Sequence, residues 1–158
     1  MEYTLIEKFI EWTKSNGWNY NLSDEEQVLA EEVIARYKNI PEQWLRFISK
    51  FTYIANADEN LWFLTCNNYT DFCYDFENMS LDAASGDEEW TEEIKNFWDK
   101  TFPIIMSVGG DYYYYGIDIE TGKIVVAYEP EFEETVDVTD SFEMFIQKVI
   151  SGEILLVV

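Results

Sequence analysis

The chain alternates between short apolar runs and helix-spaced apolar stripes, and its densest apolar stretch is FPIIMSVGGDYYYYGIDIETGKIVVAYE, residues 102–129. Ile104, Ile105, Met106 and Val108 form a short apolar run between Pro103 and Gly109-Gly110, the pattern of a buried strand. The tyrosine- and isoleucine-rich segment after the glycines fits a pleated surface. Glu120-Thr121-Gly122 reads as a tight hairpin loop, with Gly122 supplying a positive φ. Ile124 to Tyr128 returns as the partner strand. Side chains alternate along a strand, so Tyr113, Tyr115, Ile117 and Ile119 share one face. That face is assigned to the core. Tyr112, Tyr114 and Asp118 share the other, which is expected to be wetter and open to a partner.

Ahead of this stretch the spacing turns helical. Leu5, Ile6, Phe9, Ile10 and Trp12 form a stripe that predicts a helix over 2–15, ended at Asn16-Gly17. Trp18 to Leu22 reads as a connector. Ser23 and Glu26 have capping-box spacing and predict a second helix, buried through Val28, Leu29, Val33, Ile34 and Tyr37 and stopped by Ile40-Pro41. A third runs PEQWLRFISKF, followed by a linker from Thr52 to Asn60 and a strand over Leu61–Thr65. Residues 66–86 hold Tyr69, Phe72, Tyr74, Phe76 and Met79 with no sustained period, and 81–86 reads as a surface loop. Asp87 is the expected cap of a fourth helix reaching Phe102, with Trp90, Ile94, Phe97 and Trp98 inward. EPEFEETVDVTD alternates loosely and predicts an edge strand or an extended loop. Asp140 and Glu143 are expected to cap a last helix burying Phe142, Phe145, Ile146, Val149 and Ile150. The terminal ILLVV is expected to dock, as a strand or otherwise. The sum is α+β: a single domain over 1–158, with one largely antiparallel sheet and helices packed on one face.

The composition is strongly acidic. With 32 acids against 10 bases the formal net charge is -22. Hydrophobic residues make up 47%, so the chain folds despite that charge. Such a surface repels nucleic acid and anionic lipid and attracts basic proteins. The N-terminus lacks a basic start with a long apolar run, and no stretch approaches a membrane span. A cytoplasmic protein is expected, with no membrane or nucleic-acid partner.

Candidate chemistry is thin. There is no histidine, the commonest general acid or base. Cys66 and Cys73 are the only thiols and cannot complete a four-ligand zinc site within one chain. They read as free packing residues of a reducing compartment. Gly109-Gly110 opens no phosphate loop, and the acids lack calcium-loop spacing. No enzyme, cofactor or metal is expected. An acidic hydrolase would need converging carboxylates of raised pKa.

The arrangement resembles the SUKH superfamily, the domain also found in Smi/Knr-type fungal cell-wall regulators. Four features carry the resemblance over about residues 25–150: Ile40-Pro41 leading into an aromatic helix, the strand LWFLT, the run GGDYYYYGIDIETGKIVV, and the acidic lead VDVTDSFEMFIQKVI into a terminal helix. The resemblance implies a non-enzymatic binding domain. In bacteria such domains are similar to immunity proteins that neutralise a polymorphic toxin, often a nuclease. The fungal members imply the alternative of a regulatory scaffold binding a host protein. The chemistry of an immunity protein fits an acidic decoy for a basic cleft. The candidate contact set is Glu88, Glu89, Glu92 and Glu93 on the fourth helix with Tyr112, Tyr114, Asp118, Glu129, Glu131, Glu133 and Glu134.

Overall fold

A computed structural model of the chain describes residues 3–70 and 72–158. Glu2, the first residue of the expected N-terminal helix, lies outside the described residues. The fold class is α+β, as the pattern predicts. The strands are β1 (Asn19–Leu22), β2 (Phe51–Ala55), β3 (Leu61–Phe63), β4 (Thr101–Ser107), β5 (Tyr113–Asp118), β6 (Ile124–Tyr128) and β7 (Val136–Thr139). They form one sheet in sequence order, each pair antiparallel. The helices are α1 (Tyr3–Ser15), α2 (Glu31–Arg36), α3 (Glu42–Ile48), α4 (Asp75–Ala83), α5 (Glu88–Lys100) and α6 (Phe142–Ser151).

The sheet is covered on both faces, not one. Tyr114 and Tyr115 are neighbours on β5, so their rings point to opposite sides. Tyr115 lies 5.0 Å from Phe145 of α6. Around it α1, α3 and α6 build the larger layer, where Phe9 meets Phe47, Phe51 and Phe63. Tyr114 lies 4.9 Å from Trp98 of α5 and 6.2 Å from Phe76 of α4, in the second layer. Tyr114 is 0% exposed and donates its hydroxyl to the carbonyl of Phe132 at 2.6 Å. Burial pushes its phenol well above the usual tyrosine range. It is therefore a core residue and not the partner-facing tyrosine the alternation predicts. Tyr112, just before the strand, is half-buried.

Several boundaries differ for local reasons. The connector expected at Trp18–Leu22 contributes an edge strand, β1. The second helix starts late: the N–H groups of Ser23 and Gln27 donate to the carbonyls of Lys50 and Ser49 at 2.8 and 2.9 Å. With its backbone tied to the end of α3, this segment stays irregular and Ser23 caps nothing. Val28 and Ile34, expected inside, are 77% and 55% exposed. The third helix stops at Ile48, and Phe51, expected at its end, opens β2, which runs on through Ala55 into the expected linker. The segment without a period holds α4 after two short 3-10 turns, so the expected loop at 81–86 shrinks to the residues after Ala83. α5 ends at Lys100, and Thr101 and Phe102 already belong to β4. Pro103 sits where the β4–β5 register shifts, a place in a sheet that spares a missing N–H.

The caps are mixed. Asp87 accepts from the N–H of Trp90 at 3.0 Å, as expected. Ser141, rather than Asp140, caps α6 by accepting from Met144 N–H at 3.1 Å. Gly122 has φ 79°, closing the hairpin as predicted, with its N–H donating to Asp118 O at 2.7 Å. The terminal ILLVV forms no strand. Leu156 is buried, and Tyr113 donates its hydroxyl to Val157 O at 2.5 Å.

Candidate functional site

The predicted contact residues separate into acids with structural duties and acids left free. Glu129 accepts from the N–H of Tyr112 at 2.9 Å, holding the start of β5 to the end of β6. Glu133 accepts from the Trp98 indole at 2.9 Å and from the Ser80 hydroxyl at 2.7 Å. Its carboxylate thus ties the β6–β7 loop to α5 and α4. Asp118 accepts from Glu120 N–H at 2.9 Å in the hairpin loop. It lies at the other end of β5 from Tyr112, about 20 Å along at 3.3 Å per residue. The structure does not bring Asp118 to the rest of the set.

What remains is an acidic face. Glu88, Glu89, Glu92 and Glu93 are all exposed along the N-terminal half of α5. Trp90, expected inside, is 44% exposed among them. Glu131 and Glu134 are exposed in the loop. A hydrogen bond with Glu131, and then its charge, raise the Glu134 carboxyl above the usual carboxylate range. None of these six acids takes an ion pair among the described residues. The loop is seated by Phe132, which is buried and stacked on Phe76 at 4.5 Å.

Sequence reasoning missed a cleft beside this face. It opens between α4 and the part of the sheet's second face that α4 and α5 leave bare, with a volume of about 710 Å³. Trp62, Leu64 and Met106 form its floor, Phe76, Met79 and Tyr112 its wall, and Asp75 and Asp82 its rim. No base is among the described lining residues. The signal was present in LWFLT, apolar on both of its faces, and in the aromatics of 66–86. Their missing period concealed which helix would stand over them. Cys73 also lines the cleft, but burial pushes its thiol up to about 12. Cys66 is pushed up to about 11 for the same reason. Both stay protonated near neutral pH and are poor nucleophiles.

A second cleft, about 740 Å³, lies among α1, the segment before α2, α2 and α3. Lys38, Arg46 and Lys50 line it together with Ile6, Leu29 and Leu45. Among the described residues no cluster of cysteine and carboxylate side chains is arranged to hold a metal ion, and no helix is long and apolar enough to cross a membrane. Compared with known proteins, the chain matches no family model, no curated protein and no solved structure.

Proposed function

We propose that the protein is a non-enzymatic binding module that captures a basic protein through the face made by α5 and the β6–β7 loop. In this reading it is a cytoplasmic immunity-type protein whose partner is a toxin domain with a cation-lined groove, such as a nuclease. The observation that carries the reading is the row of exposed, unpaired carboxylates Glu88, Glu89, Glu92, Glu93, Glu131 and Glu134 beside the exposed Trp90. An acid already paired inside the chain offers a partner little. A free one steers association and can be desolvated against a cation. Of the other acids of the set, Glu129 and Glu133 support the face by fixing the loop, and Asp118 lies apart from it. The class of partner comes from the SUKH resemblance, and its charge comes from this surface.

The test is a pulldown against basic nuclease domains, starting with any encoded beside this protein. Binding is expected at low salt, with an on-rate falling at least roughly tenfold at high salt. Glu92→Lys with Glu93→Lys should weaken it at low salt and flatten the salt dependence. Failure to bind every basic nuclease at low salt would sink the reading.

A further inference from the structure

We infer that the cleft beside α4 takes a large apolar side chain from a lysine- or arginine-rich segment of the partner, an inference that rests on the acidic face being the partner-binding surface. A charged face alone sets rate and sign. Affinity comes from a few anchors in desolvated pockets, and this cleft is where the fold leaves such a pocket open. Its volume of about 710 Å³ lies in the range of clefts that enclose a ligand-sized group. Trp62 and Tyr112 are only half-buried in it, and Met79 on its lip is 41% exposed. Exposed aromatics and methionine are characteristic of recognition surfaces, and methionine adapts to varied shapes.

The charge around the cleft selects the occupant. Asp75 and Asp82 stand on the rim, and neither takes an ion pair among the described residues. Glu129 is bonded to Tyr112 N–H, and the Phe76 ring lies 5.8 Å from that of Tyr112 and 4.5 Å from that of Phe132. The cleft wall and the acidic loop are therefore one packed unit. Apolar floor with acidic surroundings suits an apolar anchor flanked by cations. An anionic lipid meets the same acids with the wrong sign. A second copy of this chain brings its own charge of -22 and is repelled.

The probe is a lysine-rich peptide carrying one tryptophan, compared with a peptide of equal charge that has alanine in its place. Binding is followed by fluorescence anisotropy and by NMR of methionine methyl groups. The tryptophan peptide should bind at least roughly tenfold more tightly. Met79 and Met106 signals should shift, while that of Met144, on α6 away from the cleft, should not. Met79→Arg, at a position 41% exposed, should abolish the preference and leave the alanine peptide's affinity within about threefold. Equal binding of the two peptides, or a preference that survives Met79→Arg, overturns the cleft as anchor and leaves the charge reading standing. No binding of either peptide at low salt counts against the acidic face itself.

Discussion

Two clefts of nearly equal size open in different helical layers, about 710 Å³ beside α4 and about 740 Å³ among α1, α2 and α3. Both have apolar floors. They differ in what their charges are doing. In the second cleft Lys50 is paired with Glu26 at 2.6 Å and Arg46 with Glu42 at 3.1 Å. The Lys50 hydrogen bond also lowers the Glu26 carboxyl from its usual range. Lys50 thereby holds the end of α3 to the irregular segment before α2, and Arg46 is spent on a neighbour one turn away within α3. In the first cleft the rim carboxylates are unpaired and continuous with a larger unpaired face. Volume and greasiness do not separate the two sites; the state of the rim charges does. In a chain of charge -22, bases are scarce, and two of the three at this second cleft are neutralised, Lys38 alone taking no ion pair among the described residues, while an acid is common and is often left over.

Removal of the wall of the first cleft should separate the two sites most strongly. Phe76 is buried, and its ring contacts Phe132, Tyr112 and Tyr114. Phe76→Ala should cost about 4 kcal/mol in urea unfolding and release the acidic loop, while the second cleft keeps its shape. A cost under about 1 kcal/mol would mean that the wall is not part of the core.

Next comes the link between the two sites. Arg36, at the end of α2, reaches Glu77 of α4 at 2.8 Å and Asp99 of α5 at 2.9 Å, and its guanidinium lies 5.1 Å from the Tyr74 ring. Burial works against its charge, yet the hydrogen bond to Glu77 and the nearby acids outweigh it and hold it more firmly protonated than usual. Glu77 is buried, so Arg36→Ala strands a carboxylate and should cost about 3 kcal/mol. Arg36→Ala with Glu77→Leu should recover much of that loss in the same unfolding measurement, because the desolvated charge goes with its partner.

The layer bearing the second cleft and the layer bearing the first were unequally legible in the sequence. Strong local signals held: the Asp87 cap, the Gly122 hairpin, the helical stripe through Phe9 and the terminal helix. Tyr114 was misplaced because alternation only separates faces; it does not say whether a face is covered. Its cover comes from Phe76, Trp98 and Phe132, and two of these lie in segments without a clear period. Ser23 to Ala30 failed for a related reason. Its capping-box spacing is local, but its backbone partners, Ser49 and Lys50, lie far along the chain. At the site, charge could be counted from the sequence but not apportioned. Nothing in EPEFEET marks Glu133 as the acceptor for Trp98 and Ser80, or Glu131 and Glu134 as the pair left free.

The smallest expected effect tests that apportionment directly. Glu134 in the folded protein holds its proton to higher pH than usual, because it shares a hydrogen bond with the neighbouring Glu131 and, next, because the charge of Glu131 disfavours a second one. A raised folded pKa makes the group favour the folded state at low pH, and that advantage is lost as pH rises through the folded value. Glu134→Gln removes the repulsion present at neutral pH. Its melting temperature should therefore rise slightly above that of the parent at neutral pH, and the difference should fade in acid, where both carboxyls are protonated. The same substitution should weaken capture of a basic partner, since a repelling pair is the arrangement a cation relieves. An acid kept for solubility alone would show the first change without the second.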